Sequence, residues 1–230
     1  MNIIKHAEFF DPTALKKSIH IIGVGAIGST VAENLTRLGC THIHLYDFDT
    51  VNDHNIANQM FRYKDIGLNK CVAMKAQMLE INPQISVTTH EKGYLIEEPH
   101  APLTGYVFLC VDSIELRRAI VEENQYNPMI IAMFDFRMRM LDAQHYAALW
   151  SKPKHITNLL KTMQFTDAEA DATTPVSVCG TSLNVSPTVR SIVAYGIANF
   201  IKTTRLPEDL VTMCLSDPFA GTLDMFSAKA

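Results

Sequence analysis

Apolar positions along this chain change period several times, and each change marks an element. A short β-branched run at Ile19, Ile21 and Ile22 reads as a buried strand. The spacing then turns helical, with Ile27, Val31, Leu35 and Leu38 on one face and Gly39 placed as a C-cap. A second strand is predicted over 43–46. Regular spacing is lost over 51–65, a polar loop with two aromatics whose length points to function. Residues 67–81 read as a helix, with Val72, Met74, Leu79 and Ile81 apolar and Asn82-Pro83 ending it. Strands follow over 85–88 and 106–111, then a helix over 114–125 that Ser113 can cap, then a fifth strand over 129–134. Strands alternating with helices in this order predict an α/β, doubly wound, mainly parallel sheet whose working edge lies at the strand C-termini.

The texture changes after Asp135. Residues 139–150 are expected to pair as an antiparallel strand and then turn helical. The polar stretch 151–178 reads as a mobile loop with one helix near 156–163. Pro187 is expected in the first turn of an apolar helix reaching Lys202, carrying Val189, Ile192, Val193, Ile197 and Phe200. Segments 210–215 and 223–226, joined across Asp217-Pro218 and Gly221, predict a closing hairpin. No linker stands out. The expectation is one domain over 1–230, with a nucleotide-binding βαβ core at 18–135 and an antiparallel extension, crossover loop and C-terminal helix and hairpin at 136–230.

Between the first strand and its helix stands Gly23-Val24-Gly25-Ala26-Ile27-Gly28, a G-x-G-x-x-G turn. Its glycines let the backbone turn tightly and approach phosphate, which rests on the N–H groups at the helix N-terminus. Asp47, at the tip of the second strand, is placed to accept hydrogen bonds from ribose hydroxyls. Strand, glycine turn, helix, strand and acid together make a nucleotide site with Gly23, Gly25, Ala26 and Gly28 in the turn. They do not say which nucleotide, since an NAD enzyme would look the same as far as Asp47.

Composition narrows the classes. Hydrophobic content of 47% and charge of 19% over 230 residues describe an ordinary globular chain. A net charge of −4 offers no basic surplus for nucleic acid or an anionic membrane. No apolar run approaches the ~20 residues that span a bilayer, and the first ten residues lack a signal-peptide core. Five scattered cysteines (Cys40, Cys71, Cys110, Cys179 and Cys214) form no C-x-x-C pair, which favours a reducing cytoplasm over a disulfide framework or structural zinc.

The loop after the second strand separates the cofactors. D-F-D-T-V-x-x-x-N from Asp47 to Asn55, Asp65-Ile66-Gly67-x-x-Lys70, Ile81-Asn82-Pro83, Val111-Asp112-Ser113 with Arg117, Arg137-Met138, and Cys179 ahead of Pro187 follow one another in register. Together they resemble the ThiF/MoeB family of ATP-dependent adenylyltransferases, which are related to ubiquitin-activating enzymes. The likeness spans roughly 19–202 and is nearest to the small members found on plasmids and phages. It implies adenylation of the C-terminal carboxylate of a ubiquitin-like or sulfur-carrier protein, with release of pyrophosphate. By resemblance, Asp47 holds the ribose, Asp49 and Asn55 organise the loop, Lys70 neutralises the phosphates, and Asp112 beside Ser113 takes Mg²⁺. Cys179 occupies the position where a cysteine can accept the acyl group. Members of the family pair, so a homodimer is implied, with the helix after Pro187 as a partner surface.

Two departures stand out. The family's arginine three residues after the loop asparagine is replaced by Asn58, and the paired cysteines of a zinc site are missing. Arg62, four residues beyond Asn58, would lie one helical turn on and could supply the charge if that segment were helical. Asn58 leaves a rival open: a non-catalytic nucleotide-binding or scaffold subunit whose partner brings the arginine. An NAD(P)-dependent oxidoreductase is the second rival, and it has no need of Lys70.

Overall fold

The computed structural model describes residues 7–94, 102–139, 141–172 and 182–227, the stretch 182–186 by backbone alone. Its strands are β1 (Ile19–Ile22), β2 (His42–Tyr46), β3 (Ser86–His90), β4 (Gly105–Leu109), β5 (Ile130–Met138), β6 (Ala143–Leu149), β7 (Met213–Asp217) and β8 (Thr222–Phe226). They join in one sheet in the order β3-β2-β1-β4-β5-β6-β7-β8. The first five in that order run parallel, and β6, β7 and β8 each pair antiparallel with the strand before. Every residue of β1 and of β4 is buried, as central parallel strands covered on both faces must be.

Among the described residues six helices flank the sheet: α1 (Ala26–Arg37), α2 (Lys70–Ile81), α3 (Ile114–Asn124), α4 (Pro153–Lys161), α5 (Asp167–Ala172) and α6 (Ser182–Arg205). Alternation along the strands divides the apolar side chains between two cores. Ile19 and Ile21 of β1 pack with α1, α2 and α6, whereas Ile22 packs with α3 and α4. Phe200 of α6 sits among the rings of Phe10, Tyr106, Phe108 and Phe134. The helix comes so close to the sheet that a Cβ on Gly196 would lie 2.1 Å from the Phe136 ring.

The expected doubly wound sheet with an antiparallel C-terminal extension is therefore present, and the structure changes several details. The α2 helix starts at Lys70 and not at Gly67, because Gly67 has φ +88° and Asn69 caps the helix by accepting from the Cys71 amide at 2.8 Å. Its inward face carries Cys71, Met74, Gln77 and Met78, and the apolar Val72 and Leu79 face solvent. The stretch expected as a loop with one helix holds two helices, α4 and α5. Pro187 lies inside α6 and not in its first turn, since the helix opens at Ser182. The helix expected as a partner surface turns its apolar residues Val189, Ile192, Val193, Ile197 and Phe200 into this chain's own core.

Candidate nucleotide and substrate site

At the strand C-termini a cavity of about 1140 Å³ opens, bounded by the glycine turn, the loop after β2, the N-terminus of α3 and the β5–β6 strands. Its near end is built by β1 and α1. Gly23 has φ +89° and donates its amide to the Tyr46 carbonyl at 2.8 Å, and a Cβ there would lie 2.7 Å from the Val111 nitrogen. Gly25 caps α1, and a Cβ built on it meets nothing within 4 Å, so the backbone here faces open space. These are the two roles that a phosphate-binding turn asks of glycine.

Asp47 ties this turn to the following loop. One carboxylate oxygen accepts from the Val24 amide at 2.7 Å and the other from the Asp49 amide at 2.9 Å. Burial pushes its carboxyl up, opposed by the charge of Lys70 and by the two amide bonds. Lys70 is 7% exposed and donates from Nζ to Asp49 Oδ2 at 2.7 Å. Asn69 Nδ2 reaches the carbonyls of Asp47 and Asp49 at 3.0 and 3.2 Å, fastening the start of α2 to the end of β2. Asn55 is buried and its Oδ1 accepts from the Asn52 amide at 2.8 Å, closing the short turn 53–55. The polar loop is thus an ordered structure whose ends meet at a Thr50–Asn69 bridge.

On the other side of the cavity, Asp112 is exposed and accepts from the Ser113 amide at 3.0 Å. Ser113 caps α3, its Oγ accepting from the Leu116 amide at 3.0 Å. Below it lies a buried group of charges. Fully buried Asp135 pairs with Arg117 and with Arg137, whose Nε donates to Asp135 Oδ2 at 2.7 Å. Arg117 also donates to the carbonyls of Leu109 and Val111, and Arg137 to the Thr162 carbonyl at 2.7 Å while its guanidinium lies 4.5 Å from the Tyr146 ring centre. Burial alone would raise the Asp135 carboxyl, but the two guanidinium groups outweigh it and hold it below the usual carboxylate range.

The glycine turn, Asp47 and the Asp49–Lys70 pair meeting on one cavity fit a match of residues 10–132, more than half the chain, to the model of the ThiF family. This chain belongs to the ThiF family. Within curated proteins it is 36% identical over 121 residues to ubiquitin-like modifier-activating enzyme 5 of Dictyostelium discoideum, covering 45% of this chain and 31% of that protein. The Drosophila melanogaster enzyme of the same name is 31% identical over 138 residues, covering 52% and 32%. The chain thus spans about a third of the length of these relatives. Among solved structures, E. coli MccB with ATP superposes with a TM-score of 0.66 at 18% identity, covering 93% of this chain and 65% of that one. PaaA gives 0.67 at 16%, covering 92% and 64%. At these identities the structures speak for the fold.

Against the ThiF-family expectations, Gly23, Gly25, Ala26, Asp47, Asp49, Asn55, Lys70 and Asp112 all line the cavity. Gly28 and Ser113 stand behind it: a Cβ on Gly28 would lie 1.9 Å from the Gly23 carbonyl oxygen, so this glycine packs helix on turn. Arg62 is elsewhere. It pairs with Glu80 on the outer side of α2, and the residues between the short turns 53–55 and 63–65 are not helical, so the one-turn argument fails. Asn58 does not line the cavity, whereas its neighbour Gln59 does, and both carry a buried side-chain oxygen with no hydrogen-bond partner. No sequence motif marks Gln59 or Asp135; adjacency to Asn58 and the nearby arginines 117 and 137 are the available signals. Cys179 lies outside the described residues. The other four cysteines are buried, and burial pushes the thiols of Cys40 and Cys71 up to about 12, that of Cys214 to about 11 and that of Cys110 higher still. None of these four is a ready thiolate.

Proposed function

We propose that this chain adenylates the C-terminal carboxylate of a ubiquitin-like or sulfur-carrier protein with ATP, releasing pyrophosphate. The observation that carries the reading is the Asp49–Lys70 pair, which joins the glycine turn and Asp47 on one cavity, since a nicotinamide enzyme needs no cation there. In the reaction a carboxylate oxygen attacks the α-phosphorus of ATP and the bond to the bridging oxygen breaks, so charge moves onto the leaving pyrophosphate. Positioning and charge neutralisation are what such a step asks of a protein. Lys70, fixed by Asp49, faces that charge. The amides at the start of α1 cradle phosphate, and Asp47 retains lone pairs for ribose hydroxyls.

Mg²⁺ fits this donor set. Asp112 commits one carboxylate oxygen to an amide and is exposed to the cavity, and Mg²⁺ is ordinarily held by one or two carboxylates plus substrate phosphates and water. No group of three His, Cys, Asp or Glu suited to a metal occurs among the described residues, and this mode needs none. Held by Asp112, the ion would supply positive charge against the phosphates as pyrophosphate leaves. A following transfer of the acyl group would fall to Cys179, the one thiol left after the four buried ones. A homodimer remains part of the proposal, without α6 as its surface. So do a single domain and a cytoplasmic setting; among the described residues no helix is long and apolar enough to cross a membrane.

The test is carrier-dependent pyrophosphate exchange into ATP. Lys70→Ala and Asp112→Ala are each expected to slow it at least tenfold in a folded protein. Unchanged exchange in either variant would remove that residue from the site. Exchange that never appears with any carrier, together with tight binding of a dinucleotide, would replace the reading by the oxidoreductase.

A further inference from the structure

One wall of the cavity belongs to none of the family motifs. Thr162, Phe165, Ala170 and Asp171 form it, in a stretch polar enough to be taken for a loop. The stretch is nevertheless held to α3 at two points. Asp167 accepts from the Ile114 amide at 2.6 Å and from Ser113 Oγ at 2.7 Å, which places a carboxylate on the N-terminal pole of α3. Arg118, one turn further along α3, donates to the carbonyls of Met163 and Phe165 at 2.9 and 3.3 Å. The α5 helix is capped independently: the Thr166 amide donates to Glu169 Oε2 at 2.8 Å and the Glu169 amide to Thr166 Oγ1 at 3.2 Å. Asp167 is therefore not needed within its own helix, and its side chain reaches across to another.

The cavity is larger than one nucleotide requires. Small-ligand sites run to about 1,000 Å³, and this one exceeds that while extending from Asp47 on the β2 side to Gln144 and Tyr146 on β6. Those strands stand four places apart in the sheet, about 19 Å at the usual spacing. Glycine turn and Lys70 mark the β2 end; the stretch 162–171 walls the other.

We propose that Asp167 is a positioning residue that clamps this wall onto α3 and so shapes the half of the cavity that receives the acyl-bearing substrate, a role that rests on the adenylation reading above. It acts through the wall and touches no reacting atom. Asp167→Ala should release the segment while leaving the nucleotide end intact. Asp167→Asn, which keeps an acceptor but loses the charge, should fall between.

Amide hydrogen exchange on the full chain tests the clamp. In Asp167→Ala, exchange over 163–172 and at the Ile114 and Glu115 amides is expected to rise at least tenfold, with 19–37 unchanged. Ser113→Ala should give a smaller rise, and the double variant should add little to Asp167→Ala because the two share one contact. Unaltered exchange over 163–172, or equal loosening of 19–37, overturns the clamp. Calorimetry with two probes tests the substrate half: ATP, and a dipeptidyl sulfamoyl-adenosine that mimics the acyl-adenylate. Asp167→Ala should leave ATP affinity within twofold and weaken the mimic at least fivefold. Equal weakening of both, or of neither, overturns the positioning role. A wild type that binds neither probe overturns the adenylation reading and with it the substrate half, and the exchange data tell that result apart from a missing clamp.

Discussion

Two aspartates on the sheet beside the same cavity have opposite fates. Asp47 follows β2 and Asp135 lies within β5, and both are buried. Asp47 is held by two neutral backbone amides and faces one cation, Lys70, which is itself paired with Asp49, so burial dominates and its carboxyl is pushed up. Asp135 is held by Arg117 and Arg137, so their charge dominates and its carboxyl is held down. The difference separates a group available to a ligand from a group committed to the scaffold. Asp47 lines the cavity, where the proposed function gives it the ribose, whereas Asp135 fixes the two guanidinium groups that brace the ends of β4, β5 and α4.

The same substitution at both positions should separate the roles. Asp135→Asn leaves the buried Arg117 and the partly buried Arg137 facing a neutral amide, and breaking a buried pair in this way costs about 3–5 kcal/mol. Urea unfolding should show that loss, with ATP affinity reduced only as far as folded protein is lost. A cost under about 1 kcal/mol would mean that water reaches the arginines and that the scaffold role is wrong.

A pH titration extends the comparison to both sides of the sheet, through one buried histidine on each. His20 of β1 has Nδ1 by the Tyr46 hydroxyl at 3.0 Å and accepts from the Thr104 amide at 3.3 Å, and burial lowers its pKa to about 3. His145 of β6 lies between the Asp135 carbonyl at 3.2 Å and Asn199 Nδ2 at 3.1 Å, and burial lowers it to about 4. Asn199 is oriented by two bonds to Val211, so it offers His145 a donor and fixes the neutral tautomer with the proton on Nδ1. In the unfolded chain each takes a proton near 6.5, so stability is full above that value and falls as pH drops below it. At pH 5 the loss is about 2 kcal/mol for each. Urea midpoints at pH 7.5, 6 and 5 should show the slope, and His145→Gln should recover about 2 kcal/mol of the loss at pH 5. A slope unchanged by either His20→Gln or His145→Gln would place the acid sensitivity elsewhere.

Asp47→Asn is the matching change at the ligand end. The fold should persist, and ATP affinity should fall about tenfold, the size expected for losing one charge-assisted hydrogen bond. Retained ATP affinity would demote Asp47 to a staple between the glycine turn and its loop.

How much of this could be read from sequence follows from which forces are local. Strand-forming runs such as Ile19–Ile22, the glycine turn and the α3 cap at Ser113 depend on neighbours in the chain, and each was legible. The register of α2 was not, because its inward face includes Gln77, which bonds to buried Asp65, and its start is set by Gly67 and Asn69. The α5 helix was hidden for a related reason. Its Thr166-x-x-Glu169 cap was present in the sequence, but the bonds from Asp167 to α3 cross 53 and 54 positions. The Asp135 group likewise unites residues 117, 135 and 137 from a helix and a strand, which no periodicity displays.

The smallest expected effect concerns the charge missing at position 58. Arg62 is exposed, its partner Glu80 also binds Lys64 at 3.0 Å, and it stands outside the cavity. Surface pairs of this kind are screened by solvent and transmit little. Arg62→Ala should therefore leave ATP affinity and pyrophosphate exchange within twofold of wild type, and a tenfold loss would return Arg62 to the site. Position 58 itself is the more informative place to add charge. Gln59 faces the cavity, and both it and Asn58 bear an oxygen without a partner, so the local polar surface favours a donor. Asn58→Arg should tighten ATP severalfold and steepen the dependence of affinity on salt, as a new cation near phosphate must. If Asn58→Arg binds ATP no better at low salt, the side chain at 58 does not face the phosphates, and their charge falls to Lys70, the amides of the glycine turn and the ion proposed at Asp112.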